Sequence, residues 1–354
     1  MVLQPCDIHL RWRGRRPARH HRPAHARPSP RGAIMITDEL TMVVDTARTM
    51  FESEDRHALV DQLVSAGIEP DDLHVFEQLT GALMTEQGRS VASSTLLSLI
   101  LCGPLFDSSW SVVLPALGVS TPPGRSTADG IEVDGVAVNP HSFGPFVVHA
   151  SESAVLVPAD AVTVTSADGF DPELGLHRVR GMVSPDRCSV APVHSWDTAR
   201  VRALRALSFE SIGLAERALN ETVAYVKERK QFGRSIGRFQ VVQHRLVDAY
   251  TALESAKAVV ESSADSEDIV SALVAKAWSG KAARKAVDAA QQFSGAIGFT
   301  LEFGLHRLVR RVYVIDALFG DSVSAVAEIG DRLVASAVVP RSAAFGSRDG
   351  VAVR

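Results

Sequence analysis

Glu228-Arg-Lys-Gln-Phe-Gly-Arg-Ser-Ile-Gly-Arg-Phe-Gln240 interrupts two long helical patterns, and what it is made of decides how the flanking chain is organised. Gly233 and Gly237 are poor residues for a helix interior, so the segment reads as a turn rich in cations and amides. Upstream, Leu207, Ser211, Leu214, Ala218 and Tyr225 recur on one stripe, with Arg205, Glu216 and Asn220 opposite. Downstream, helical patterns run from about Phe239 to Ser262 and from Ser266 to Phe293. Gly295 to Gly298 breaks the periodicity, and two further helices span about Leu301 to Leu318 and Ser322 to Ala337.

Before this helical block the pattern changes. Between Gly103 and Pro192 lie short β-branched runs: Trp110–Leu114, Ile131–Val138, Phe146–Val148, Ala154–Val157, Ala161–Thr165 and Arg178–Val183. Turn residues separate them, which predicts a small antiparallel sheet or barrel. Asp134–Gly135 carries the signal of a two-residue hairpin inside the second run. Earlier still, Leu40, Val43, Val44 and Ala47 mark a helix opening at Thr37 or Asp38. A short helix follows from His57 to Ala66. A third opens at Pro70, with Leu73, Phe76 and Leu83 inward, and is closed by Gly88; a fourth, uncharged and therefore central, spans Ser90 to Leu101. Helices, strands and helices in three blocks predict an α+β fold, mostly α. The domains are 35–102, 103–196 and 197–340, with tails 1–34 and 341–354.

The chain has 354 residues and a formal charge of −4, with 46% hydrophobic and 22% charged residues, an ordinary globular balance. Residues 1–34 hold eight Arg and one Asp, a local +7 that leaves −11 for the remainder. Such a remainder gives no reason to bind nucleic acid or an anionic membrane. The head is interleaved with Pro and His and lacks apolar periodicity, so it reads as a disordered tail or an upstream start, with a polybasic arm as the alternative. The longest apolar run, Thr95 to Phe106, is too short to span a bilayer. Cys6, Cys102 and Cys188 form neither a zinc pattern nor a disulfide framework, which fits a reducing cytoplasm. His141, His149 and His194 lack metal-ligand spacing, and His244 and His306 read as helix residues. No dinucleotide-fold or P-loop glycine pattern and no nucleophile elbow is present.

With Gln243-His-Arg-Leu-Val-Asp248, Ala275-Lys276-Ala277, Gln292-Phe-Ser-Gly-Ala-Ile-Gly298 and Leu308-Val-Arg-Arg311, the quoted segment resembles the C-terminal signature of the acyl-CoA dehydrogenases. These flavoenzymes have an α-domain, a β-domain and a four-helix domain. The resemblance implies FAD as cofactor, an acyl-CoA substrate, an electron-transfer acceptor, and cofactor-binding roles for Arg229, Gln231, Phe232, Gln240, Gln292, Gly295 and Gly298. The chemistry agrees: Arg229 offers a planar cationic fork, the glutamines offer amides, and Phe232 an apolar face. Ala296 replaces the middle glycine of the family's turn, which matters only if φ is positive there.

The family's reaction takes a proton α to the thioester carbonyl while the β-carbon gives hydride to the flavin. Counting on from Gln292, the position of the usual Glu base is Phe319, followed by the expected Gly320. Phe accepts no proton, though its backbone N–H can still polarise a carbonyl. A second family position for the base falls at Ala203 or Leu204, neither acidic. Asp321, Glu210 and Asp316 are the remaining candidate carboxylates; Asp321 reads equally as a helix cap and Glu210 as an ion-pair partner. The family's Glu-Pro-Gly-x-Gly-Ser turn and aromatic-x-Thr-Asn strand, which hold the flavin ring, are missing; Pro115-Ala-Leu-Gly-Val-Ser-Thr-Pro-Pro-Gly124 and Asn139-Pro-His-Ser-Phe-Gly-Pro145 stand instead. This asymmetry resembles the short subunits of actinobacterial heteromeric acyl-CoA dehydrogenases, which act on steroid-derived thioesters. It implies an α2β2 heterotetramer in which a longer subunit supplies the base. The alternatives are a homo-oligomer with a relocated carboxylate and a non-catalytic assembly subunit.

Overall fold

The computed structural model describes residues 37–51, 77–102, 107, 109–140, 144–150, 153–167, 169–263, 266–336, 338–339 and 351–352. All of these lie in the unit Met35–Arg354. The expectations for the 1–34 tail, for the helix His57 to Ala66, for the opening of the helix at Pro70, and for nearly all of 341–354 lie outside the described residues.

Three amino-terminal helices are α1 (Thr37–Phe51), α2 (Glu77–Ser90) and α3 (Leu96–Cys102). Val43 and Ala47 of the predicted stripe are buried, and every residue of α3 is, as its lack of charge requires. Two boundaries differ from expectation. Gly88 does not end α2, and no helix runs from Ser90. Val91 instead takes φ +52° and turns the chain, with its N–H on the Gly88 carbonyl at 3.1 Å and Ala92 N–H on that of Gln87 at 3.0 Å. A left-handed β-branched residue is costly, and the burial of Val91 against the core holds it there.

The middle block is one eight-stranded sheet: β1 (Ser111–Pro115), β2 (Gly124–Thr127), β3 (Gly130–Val138), β4 (Phe146–Ala150), β5 (Ser153–Val157), β6 (Thr163–Ser166), β7 (Leu176–Val183) and β8 (Ser189–Val190). The order is β6-β7-β3-β1-β4-β5-β8, with β2 bridging β3 and β4. It is not wholly antiparallel, because β4 runs parallel to both β1 and β2. Period-two alternation divides the strands between two cores. Val113, Val133, Phe146, Val148 and Val179 fill the inside of the sheet, while Val112, Leu114, Val136 and Val147 face the helices. The predicted hairpin at Asp134–Gly135 does not form, and β3 runs straight through. A Cβ on Gly135 would lie 2.2 Å from the Leu114 carbonyl oxygen, so this glycine serves close strand approach rather than a turn. Asp134 accepts from Arg178 at 2.6 Å instead of turning the chain.

The carboxy-terminal block comprises α4 (Trp196–Glu228), α5 (Gln240–Ser263), α6 (Ile269–Ser294), α7 (Leu305–Ala317) and α8 (Ser322–Ser336), each within a few residues of its expected bounds. Trp196, placed in the β-domain by the sequence, is the first residue of α4. The Ser195 hydroxyl caps this helix by accepting the Thr198 N–H. Helix α4 packs on α2 and α3 on one side and on α6 and α7 on the other. Its first half is therefore mostly buried, and Arg205, expected on a solvent stripe, is buried too. Helices α2 and α4 cross closely through two glycines. A Cβ on Gly213 would sit 2.0 Å from the Thr85 carbonyl oxygen, and one on Gly88 would sit 2.2 Å from that of Glu210. Arg200 grips Glu328 with two bonds of 2.9 and 2.6 Å, tying α4 to α8.

Candidate functional site

The carboxy-terminal end of α4 carries a small hairpin, β9 (Lys230–Gln231) and β10 (Arg234–Ser235), with Gln231 opposite Arg234. Phe232 (φ +54°) and Gly233 (φ +78°) form its two-residue turn, both left-handed as the tightest hairpins require. The hairpin is pinned to the helix: Ile236 N–H donates to the Arg229 carbonyl at 2.8 Å, and the Ser235 hydroxyl to that of Val226 at 2.8 Å. Arg229, Gln231, Phe232 and Gln240 are all exposed, Phe232 to 90%. The Arg234 guanidinium lies 4.2 Å over the Phe239 ring, and Phe232 meets that ring edge-on at 6.1 Å. Six cations and one carboxylate fall between Lys227 and Arg245, so the surface is strongly positive.

The glycine turn after α6 comes to the same end of α4. Tyr225, one turn before Arg229, packs edge-on against Phe303 at 5.4 Å, which anchors the loop that follows Gln292, Gly295 and Gly298. Gly295 has φ +59° with open space around its Cα, whereas a Cβ on Gly298 would lie 2.8 Å from that of Ser294. Ala296 is not among the positive-φ residues, so replacing the middle glycine costs no strain. Gln292, Phe299 and Leu301 are exposed beside the turn. Cationic forks, free amides and an exposed ring are a donor set that fits a dinucleotide diphosphate and its base. An apolar rim of this kind also suits protein contact. Lys230, Arg234 and Phe239 join the set; the sequence had marked them only as parts of the motif.

The other sequence-derived centre, Phe319–Gly320, is built differently. Both residues are left-handed, φ +60° and +88°. Phe319 is buried and stacks on Trp196 with ring centroids 5.7 Å apart and planes 18° off parallel; Trp196 in turn meets His149 at 5.6 Å. The β1–β2 loop covers this turn, with Gly118 N–H on the Ala317 carbonyl at 2.8 Å. Trp196 was missed as a site residue because nothing local signals a stack with a side chain so distant in sequence.

None of the three candidate carboxylates stands as a free base at this turn. Asp321 caps α8, accepting the N–H of Ser324 at 2.7 Å and of Val323 at 3.1 Å. The Ser324 amide bond outweighs partial burial and holds this carboxyl below its usual range. Asp316 is buried, accepts Ser322 N–H at 3.2 Å and faces the Arg284 Nε at 3.5 Å. Gly280 makes room for it, since a Cβ there would lie 2.1 Å from the Asp316 Oδ1. Glu210 is buried among charges of other elements rather than at the Phe319 turn, and burial pushes its carboxyl up to about 7. Ala203 and Leu204 are fully buried and apolar. Among the described residues, no group of His, Cys, Asp and Glu could hold a metal ion, and no helix is long and apolar enough to cross a membrane.

Comparisons with known proteins show what the chain is similar to. Residues 199–334, which run from α4 into α8, match the model of the acyl-CoA dehydrogenase C-terminal domain. Acyl-CoA dehydrogenase IpdE2 of Mycolicibacterium smegmatis is 29% identical over 240 residues, which cover 67% of this chain and 73% of that protein. Among solved structures, the Tcur3481–Tcur3483 steroid ACAD superposes with a TM-score of 0.67 at 22% identity, covering 85% of this chain and 99% of that one. The ChsE4–ChsE5 complex from Mycobacterium tuberculosis gives a TM-score of 0.64 at 20% identity over 86% and 96% of the two chains. Residues 199–334 are thus an acyl-CoA dehydrogenase C-terminal domain, carried by a chain with the acyl-CoA dehydrogenase fold.

Proposed function

We propose that this chain is the base-less subunit of a heteromeric, FAD-dependent acyl-CoA dehydrogenase that forms 2,3-enoyl-CoA from an acyl-CoA. The carrying observation is the contrast between its two centres. At the turn where the family's base is expected, a buried Phe319 stacks on Trp196 beneath the β1–β2 loop, and each nearby carboxylate is engaged elsewhere. At the end of α4, cations and amides stand open to solvent. A longer partner subunit then encloses most of the FAD and provides the carboxylate that takes the α-proton.

When bound, FAD would supply the acceptor for the β-hydride, and an external electron-transfer acceptor would take up the electrons. This chain's residues bind and orient. The Arg229 fork would pair with the diphosphate, Gln231, Gln240 and Gln292 would supply neutral hydrogen bonds, and Phe232 would cover an apolar face. Gly295 and Gly298 keep the turn narrow enough for backbone N–H groups to approach. The two-chain ChsE4–ChsE5 complex among the similar solved structures supports a hetero-oligomer, which we take to be α2β2, and the steroid ACAD supports a bulky steroid-derived acyl group. Such a soluble assembly belongs in the cytoplasm.

Arg229→Ala tests the cofactor role within the co-purified complex. Loss of a charge-assisted diphosphate contact is expected to weaken FAD binding by about 2 kcal/mol, on the order of 30-fold, with helicity unchanged. Unaltered flavin retention in that variant would remove Arg229 from the site.

A further inference from the structure

The end of α4 carries more positive charge than a dinucleotide can neutralise. Lys227, Arg229, Lys230, Arg234, Arg238 and Arg245 are all exposed, and among the described residues none of the six is ion-paired. Arg234 has only the face of Phe239, at 4.2 Å. Elsewhere the exposed and half-buried cations are mostly engaged: Arg89, Arg125, Arg178, Arg200, Arg307 and Arg332 each hold a carboxylate within 2.9 Å. The six unpaired cations are gathered by the backbone. The Gln243 amide of α5 donates to the Gly237 carbonyl at 3.0 Å, and a Cβ on Gly237 would lie 3.1 Å from the Val226 carbonyl oxygen of α4. The turn that bears Arg238 and the start of α5, which bears Arg245, are thereby held against the helix end that bears Lys227 and the hairpin.

One carboxylate, Glu228, stands against them and leaves a local charge of +5. A diphosphate brings one negative charge per phosphate, about two in all, so about three positive charges stay uncompensated. Such a surplus repels itself, and an anionic neighbour relieves it. A nucleic acid or an anionic membrane would also meet the rest of residues 35–354, which carry −11 in spite of this cluster. A protein face answers better, because apolar surface lies among the charges: Phe232 is 90% and Val241 67% exposed, and Phe239 is half-buried. Aromatic and arginine side chains together are what protein interfaces favour. A second copy meeting this surface hairpin to hairpin would set cation on cation. We infer that this surface docks on an acidic face of the partner subunit, one that offers about three carboxylates beyond the charge of the dinucleotide. Like-charge repulsion then keeps two copies of this chain from meeting there. The inference rests on the heteromeric reading above and adds the chemistry of the partner's face.

Arg238 and Arg245 lie outside the residues assigned to the cofactor, so they separate docking from flavin binding. The test follows association of the full chain with a base-bearing acyl-CoA dehydrogenase subunit in the presence of FAD, by biolayer interferometry. For the natural chain, raising salt from about 50 mM to about 500 mM should slow association on the order of 10-fold while dissociation changes little. Arg238→Glu with Arg245→Glu should slow it on the order of 100-fold at the lower salt and far less at the higher, with the FAD content of the assembled complex unchanged. Lys281→Glu with Lys285→Glu makes the same charge change on exposed residues of α6 and should leave the rate within about twofold. Rates indifferent both to salt and to the Arg238 and Arg245 reversals would overturn the inference and leave the heteromeric reading intact. A natural chain that binds the subunit at neither salt concentration would overturn both. Equal slowing by the Lys281 and Lys285 reversals would reduce the effect to net charge. Self-association of the natural chain that the Arg238 and Arg245 reversals abolish would give the surface to a second copy. Either result refutes the acidic partner face. Should the reversed chain fail to fold, the salt dependence of the natural chain decides the matter alone.

Discussion

Gly213→Ala is expected to destabilise the chain by about 3 kcal/mol, enough to leave a marginally stable domain largely unfolded at moderate temperature. The new methyl carbon would lie 2.0 Å from the Thr85 carbonyl oxygen and 2.9 Å from the Arg89 amide nitrogen, both backbone atoms of α2. Rotating a side chain cannot relieve such a contact; the two helices must separate, and the 2.6 Å bridge from Arg89 of α2 to Glu216 of α4 goes with them. Gly330 is the control. It stands on the exposed α8 with nothing within 4 Å, so Gly330→Ala should gain about 0.5–1 kcal/mol from helix propensity. Thermal or urea unfolding of both variants checks the pair. Equal effects would mean that helix propensity, not the α2–α4 crossing, governs these positions.

Asp171→Ala is the second large loss, expected to cost about 3–5 kcal/mol. Arg311 and Asp171 are both nearly inaccessible and joined at 2.6 Å, so removing the carboxylate strands a guanidinium in the core. The paired surface bridges offer a contrast. Arg307–Glu173, at a similar 2.7 Å but well exposed on both sides, should yield less than about 1 kcal/mol on disruption. Denaturant unfolding of the two variants measures both effects. A deficit as small as that of the surface pair would show that the buried bridge contributes little.

What the sequence conveyed depended on the range over which each signal acts. Helical periodicity and the Gly295 break lie within single segments, so α4 to α8 were legible to within a few residues. The strand runs were legible too, because alternation is a property of five to nine neighbours. Glycine was the main source of error. Gly88 and Gly135 look like punctuation in sequence, but each is required by a neighbour's backbone arriving from elsewhere, Glu210 and Leu114. Arg205 was misplaced for a related reason: a solvent stripe cannot be told from a second packed face until the elements that pack on α4 are known. The motif residues at the end of α4 were legible as a set, and their fit with the loop after Gln292 came only through Tyr225 and Phe303. The Phe319–Trp196 stack was illegible, though the loss of a carboxylate at Phe319 was plain.

The most direct measurement is the flavin content and turnover of this polypeptide purified alone and purified with a base-bearing acyl-CoA dehydrogenase subunit. Alone, it should carry well under one FAD per chain and oxidise no acyl-CoA with an artificial electron acceptor. With its partner, a bound flavin spectrum and turnover should appear together. Stoichiometric FAD and full dehydrogenation by the isolated chain would contradict the account.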